Sequence, residues 1–283
     1  MRGILSEMPE QIKSDIATVR PRSAVPSGAR TVGGRVLNLY KRLGETPLER
    51  LDRLRLERPE YAQEVLSYAG RLDPMAEGVL IALAGSANKM REAYLDASKE
   101  YVLDVLFGFA TDTYDLLGRV MEYADAEVSK KKIEEGLNEF RGPVSQEYPP
   151  FSSKTVEGKS LFEWARGGMG NLVLPRKNIT VYDISLEALY KVKEPMLFSY
   201  IESNVEKVNG DFRQEEVMRL WRRHLSAKGS KEFPCATIKI SCSSGTYARS
   251  IANGLGHYLG VPALALHILR TKVGDYSVEK SLK

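Results

Sequence analysis

Residues 70–85 read Gly70-Arg71-Leu72-Asp73-Pro74-Met75-Ala76-Glu77-Gly78-Val79-Leu80-Ile81-Ala82-Leu83-Ala84-Gly85. The second half, Val79 to Ala84, is an unbroken apolar run closed by a glycine, the pattern of a fully buried strand. The first half is turn-like. A carboxylate stands just before a proline and between two glycines, at the mouth of that strand. Asp before Pro is ordinary turn chemistry, because the carboxylate accepts from nearby backbone N–H groups. The same placement suits a carboxylate held rigidly in a cleft, able to act as nucleophile or base. Local chemistry alone leaves both readings open.

Working outward, Arg35 to Tyr40 reads as a strand, and the leucines at 48, 51, 54 and 56 make Pro47 to Arg58 an amphipathic helix that ends before Pro59. Ser86 is placed to cap a helix running to about Ala97. Glu100 to Phe107 and Gly118 to Tyr123 read as strands, and Ser129 to Phe140 as a helix stopped by Gly142-Pro143. Further on come an extended loop over 146–151, a short helix over 161–166 and strand material over 178–192. A helix over 213–227 carries Arg219, Arg222 and Arg223 on its outer face. In the strand over 234–243, Ala236, Ile238, Ile240 and Cys242 alternate against Thr237, Lys239 and Ser241, as in a half-buried strand. A helix over 246–259 follows, with Thr246 as its N-cap. Strands and helices mingle without a βαβ rhythm, so a mixed α+β domain is expected over 34–283. Residues 1–33 read as an extension, flexible in part and basic, with a short helix over 1–19 and a Pro/Ser/Gly linker that carries Arg20, Arg22 and Arg30.

The 283 residues include 41 Lys plus Arg and 37 Asp plus Glu, a net charge of +4, with 43% hydrophobic and 28% charged residues. That is ordinary globular composition and excludes a disordered polyelectrolyte. No apolar run approaches the roughly 18 residues of a membrane span, and residues 1–11 lack a secretory h-region. Cys235 and Cys242, seven apart in one strand, point to opposite faces, so no disulfide is expected. With His224, His257 and His267 they show no metal-ligand spacing. A reducing, cytoplasmic setting follows. Nucleotide-binding, zincin and hydrolase motifs are absent.

Three further polar stretches stand out. Lys99-Glu100-Tyr101 opens a strand; such a tyrosine usually packs half-buried with its hydroxyl in water, or it offers a stacking plate for a base. Thr111-Asp112-Thr113-Tyr114-Asp115 is a polar turn of the kind that satisfies loop backbone. In Ser244-Gly245-Thr246-Tyr247-Ala248-Arg249-Ser250, Arg249 falls in the first turn of a helix. The dipole opposes a cation there, which implies a carboxylate or phosphate partner elsewhere.

Together these pieces resemble the TruB-type tRNA pseudouridine-55 synthases and their relatives in the Cbf5/dyskerin group. Residues 70–120, GRLDPMAEGVLIALAGSANKMREAYLDASKEYVLDVLFGFATDTYDLLGRV, are similar to the family's LDP, K-x-Y and TDT-x-D segments in order. Tyr148 to Lys154 with Gly158 and Ala165-Arg166 resembles a second motif. Ser243 to Gly260 with Leu269-Arg270-Thr271 and Val273-Gly274 resembles a third. The resemblance implies the pseudouridine synthase fold: a mixed, mainly antiparallel central sheet flanked by helices and loops, with the catalytic cleft across it. It implies isomerisation of a T-loop uridine of tRNA by Asp73, paired with Arg249, beside Tyr101 as the stacking plate. Tyr68, Lys89, Asp115, Tyr247 and Ile268 fall on substrate-binding or supporting positions. It implies no cofactor and no metal, a tRNA T-arm stem-loop as partner, no membrane and a monomer. Tyr68 stands where the family usually has histidine, and Arg42 where it has proline. The chain stops about ten residues after the last motif, so no PUA domain is expected. The rival reading is a non-catalytic RNA-binding or RNA-folding protein on the same scaffold.

Overall fold

The sheet is built around the strand that the sequence marks most clearly. A computed structural model describes residues 34–283; the helix and basic linker expected within 1–33 lie outside the described residues. Thirteen strands follow one another among these residues: β1 (Gly34–Lys41), β2 (Leu66–Ala69), β3 (Ala76–Gly85), β4 (Lys99–Phe107), β5 (Phe109–Thr111), β6 (Val120–Tyr123), β7 (Gly142–Glu147), β8 (Thr155–Val156), β9 (Lys159–Ser160), β10 (Arg176–Lys193), β11 (Glu232–Cys242), β12 (Ala263–Val273) and β13 (Tyr276–Ser277). The main sheet runs β1-β3-β12-β4-β11-β10-β7, with β2 added to β3 and β13 to β12. All its pairs are antiparallel except β3 with β12. This is the mixed, mainly antiparallel α+β sheet expected.

β3 is buried on both faces as its apolar run requires. Val79, Ile81 and Leu83 enter one cluster, and Leu80, Ala82 and Ala84 enter another beneath helix α1 (Pro47–Glu57). Thr46 and Glu49 close a reciprocal capping box at the start of α1. The expected helix after Ser86 is instead a 3₁₀ turn, Ser86–Met90, followed by the single α-turn α2 (Arg91–Leu95). Val120 to Tyr123 pairs with β5 in a separate hairpin rather than joining the main sheet.

One face of the sheet carries α3 (Lys130–Asn138), capped by Ser129, and α7 (Ala248–Leu259). Their apolar stripes meet Tyr101, Leu103, Val105 and Ile268 in the central cluster. α4 (Leu161–Arg166) follows the β8–β9 hairpin. The other face is covered by α5 (Glu194–Val205) and α6 (Gln214–His224), both inserted in the connection between the paired neighbours β10 and β11. α5 went unread in the sequence; its apolar positions 197, 201 and 205 recur every four residues and are buried. Because this helix pair covers the back of the sheet, Thr237 is fully buried, hydrogen-bonded to Asp104 at 2.6 Å, rather than facing water as alternation suggested. Cys235 and Cys242 do lie on opposite faces, both free. Among the described residues no helix is long and apolar enough to cross a membrane.

Candidate active site

Asp73 sits in the loop between β2 and β3, and two devices hold that loop. Pro74 O accepts from Gly44 N at 2.8 Å. Arg270, on β12 and 1% exposed, donates to Val79 O at 2.7 Å, Arg71 O at 2.9 Å and Gly70 O at 3.4 Å. The carboxylate is thereby fixed at the edge of the sheet, with its side chain 37% exposed.

Arg249 reaches it from the first turn of α7. Its Nε donates to Asp73 Oδ2 at 2.8 Å and lies 3.6 Å from Asp115 Oδ2. Nη1 donates to Thr113 O, and Nη2 to Phe151 O at 3.2 Å. Burial opposes the guanidinium charge, but Asp73 and Asp115 more than offset it and hold the group above its ordinary value. Asp115 is itself buried. Thr113 Oγ1 donates to it at 2.6 Å and Leu117 N at 3.0 Å. Burial raises its carboxyl above the usual range, and Arg249 draws it partway back. Arg249 thus satisfies the partner that its unfavourable helix position implied. Asp73 Oδ1 has no hydrogen-bond partner among the described residues, so Arg249 clamps one carboxylate oxygen and leaves the other unbound.

Tyr101 lies on β4, with Ile268 on the neighbouring strand β12 in the same apolar cluster. It is more buried than the half-exposed strand tyrosine expected, and burial raises its pKa, with the Arg270 cation drawing it partway back. Tyr247 occupies the N-cap position of α7, in place of Thr246, whose hydroxyl donates to Ser243 O at 3.0 Å. Gln146 caps instead: its Oε1 accepts from Tyr247 N at 2.8 Å, and its Nε2 donates to Tyr247 O at 3.2 Å. The Tyr247 ring meets Tyr148 edge-on at 5.6 Å, and burial pushes its hydroxyl up to about 12. A cavity of about 510 Å³ is lined by Asp112, Tyr114, Arg119, Phe151 and His257.

A carboxylate clamped by a buried arginine, in an LDP loop with a strand tyrosine three positions into β4, coincides with the motif order read from the sequence. A family model described as "TruB family pseudouridylate synthase (N terminal domain)" matches residues 58–212. The chain belongs to the TruB family. As a TruB-family protein it is an isomerase by class. It is 34% identical over 216 residues to tRNA pseudouridine synthase B of Blochmanniella floridana, covering 76% of this chain and 68% of the relative. It is 30% identical over 247 residues to the protein of the same name from Caldanaerobacter subterraneus, covering 87% and 71%. Among solved structures it is similar to a Cbf5-Nop10-Gar1 complex, with TM-score 0.53 and 20% identity. The match covers 86% of this chain and 49% of that one, so it speaks to the fold and spans about half of the Cbf5 chain.

In this TruB-family chain the polar contacts join Asp73, Arg249 and Asp115, while Tyr101 lies with Ile268 in the apolar cluster. Tyr68 and Lys89 take part in none of them. Tyr68, on β2, packs against the α1 cluster, and Lys89 is exposed in the 3₁₀ turn. The unread participants are buried cations. Besides Arg270 these are Lys99, whose Nζ donates to Leu95 O and Ala97 O, and Lys41, whose Nζ donates to Arg42 O and Glu45 O. Burial lowers Lys99 to about 8 and Lys41 to about 7. Arg270 was quoted within the third motif, and it stands as a charge at the end of the apolar run from Ala263 to Leu269, but its hold on the Asp73 loop was not read. Behind the sheet lies a second unread group, Glu77, His267 and Asp104. His267 Nε2 is 2.9 Å from Glu77 Oε1, and Nδ1 is 3.7 Å from Asp104 Oδ2.

Proposed function

We propose that this chain is a tRNA pseudouridine synthase acting on a T-loop uridine, at position 55 by resemblance, in the cytoplasm and without a partner subunit. The observation that carries the reading is the Arg249–Asp73 pair: one carboxylate oxygen held at 2.8 Å, the other free. The reaction breaks the N1–C1′ bond, turns the uracil and joins C5 to C1′. The C5 proton leaves and N1 gains one, so nothing is oxidised or reduced. Asp73 supplies the carboxylate that the reaction needs as nucleophile or base. Arg249 holds that carboxylate in one orientation inside a partly desolvated site. Tyr101, backed by Ile268, receives the everted base, and stacking offsets part of the few kcal/mol lost on unstacking. Asp115 and Tyr247 support Arg249 and the start of α7. Tyr68 and Lys89, outside the polar cluster, are assigned to the RNA loop and its phosphates. Residues 34–283 act as the catalytic unit, and 1–33 as a basic extension.

Asp73→Asn is the test. The substitution is nearly isosteric and keeps a hydrogen-bond acceptor for Arg249. Tritium release from a C5-labelled tRNA transcript is expected to vanish while binding of the same RNA persists. Release at the wild-type rate rejects the role of Asp73. A wild-type chain that binds the transcript and releases no tritium supports the non-catalytic rival.

A further inference from the structure

Arg249 is oriented by two backbone carbonyls, and neither belongs to its own element. Thr113 O comes from the β5–β6 connection and Phe151 O from the segment after β7. Two loops supply the acceptors, so their separation sets the angle at which the guanidinium meets Asp73.

A third segment joins these two loops. Arg213 lies at the N-terminus of α6, inside the insert between β10 and β11. Its Nη1 donates to Asp112 Oδ2 at 2.8 Å, and its Nη2 to Asp112 Oδ1 at 3.3 Å, a two-pronged grip on the residue before Thr113. The same guanidinium lies over the Phe151 ring, 4.4 Å from its centroid. Each residue held by Arg213 therefore either supplies a carbonyl that accepts from Arg249 or stands next to one that does. Arg213 adopts φ 62°, a left-handed conformation uncommon for a residue with a Cβ. The surroundings reinforce the junction. Arg119 donates from Nε to Asp112 Oδ2 and from N to Oδ1, both at 2.9 Å. Arg166 of α4 donates to Asp211 O and, at 3.2 Å, to Asp211 Oδ2, two residues before Arg213.

We infer that Arg213 is a positioning residue: by clamping Asp112 and Phe151 together it sets the two carbonyls that aim Arg249 at Asp73. The inference rests on the proposed isomerase activity, and the test separates the two. Arg213→Gln removes the charged fork while keeping side-chain length. Phe151→Leu removes the ring while keeping the carbonyl. With C5-tritiated tRNA transcript, each variant is expected to lower kcat by roughly tenfold to a hundredfold, the scale of a misplaced catalytic group, with KM unchanged. The double variant is expected to lose no more than the worse single one, because both break one clamp. Amide exchange should quicken at 111–115 and 151–154 in Arg213→Gln while β4 and β12 stay protected. If Arg213→Gln fails to fold, Arg213→Lys, which keeps the charge but neither the fork nor the flat stacking face, is expected to show the same kcat defect. Unchanged kcat, strictly multiplicative defects, or a rise confined to KM each overturn the inference. A wild-type chain without tritium release overturns the proposed function instead, and the exchange result then still decides whether Arg213 holds the two loops.

Discussion

Arg249 stands where a helix dipole disfavours a cation, yet it is nearly sealed from solvent, 3% exposed. The position is tolerable because Asp73, Asp115 and two carbonyls meet all sides of the guanidinium. Removing the cation strands Asp115 in the interior. Arg249→Met is therefore expected to destabilise the fold by about 3–5 kcal/mol at neutral pH. The sign with pH follows from Asp115, whose folded carboxyl lies above its unfolded value already and rises further without Arg249. A raised carboxyl loses stability as pH climbs through its folded pKa, so the gap between wild type and variant should narrow on acidification. Urea denaturation at pH 5 and pH 7.5 measures it, and an equal gap at both rejects the account. Tyr101 needs similar care, because it belongs to the central cluster. Tyr101→Ala should cost about 3–5 kcal/mol of stability, whereas Tyr101→Phe keeps the ring in place. Equal thermal midpoints for the two variants would contradict that packing role. Asp73, Tyr101 and Arg249 were legible in the sequence. Of the three, only Arg249 was out of place locally, as a cation in a first turn; Asp73 before a proline and Tyr101 on a strand are ordinary in their own settings, and the order of the motifs singled them out. The roles of Arg270 and Lys41 were not legible, because their partners are backbone carbonyls, which carry no residue type to read.

At the scale of elements, β3, β12 and β4 are tied by side chains as well as by their ladder. Glu77, His267 and Asp104 come one from each strand, and Thr237 of β11 donates to Asp104 at 2.6 Å. Burial opposes the imidazolium, but Asp104 and Glu77 prevail and raise it to about 10. The folded pKa lies above the unfolded one, so this contribution is complete below about pH 6.5 and fades as pH rises through about 10. Lys41, lowered to about 7 by burial, works in the opposite sense over much of that window, so raw stability against pH blends the two. The difference between wild type and His267→Gln isolates the imidazolium. That difference is expected to be largest near pH 6 and to shrink by pH 10, measured by denaturant midpoints. A constant difference would show that folding leaves the His267 pKa where the unfolded chain has it. The strands themselves were readable from period two. The misreading of Thr237 as solvent-facing has a definite cause: alternation reports the two faces of a strand, and it cannot report that a distant segment returns to cover the polar one.

The whole molecule is shaped by that returning segment. Residues 194–231 leave the sheet at Lys193 and rejoin it at Glu232, opposite the point of departure. Glu194, buried at the start of α5, accepts from Ser226 N at 2.9 Å and Lys231 N at 3.2 Å and so closes the insert at its base. Trp221 is its anchor. The side chain is fully buried, its Nε1 donates to Leu116 O at 3.2 Å, and its ring lies 5.1 Å from that of Phe109. Phe109 and Leu116 flank the 111–115 turn that holds Asp115 and Thr113, so the insert is packed into the machinery and is not a separate appendage. Its helix α6 was visible in sequence by its basic outer face, but its placement was not, since a charged face says which side meets water and not what the other side packs against. Trp221→Ala should then lower one global transition. The expected cost is about 3–5 kcal/mol, which at roughly 2–4 °C per kcal/mol for a domain of this size lowers Tm by roughly 6–20 °C. Far-UV and near-UV circular dichroism should melt together. An early transition confined to part of the helical signal, with the remainder melting at the wild-type temperature, would show that the insert folds independently of the sheet it covers.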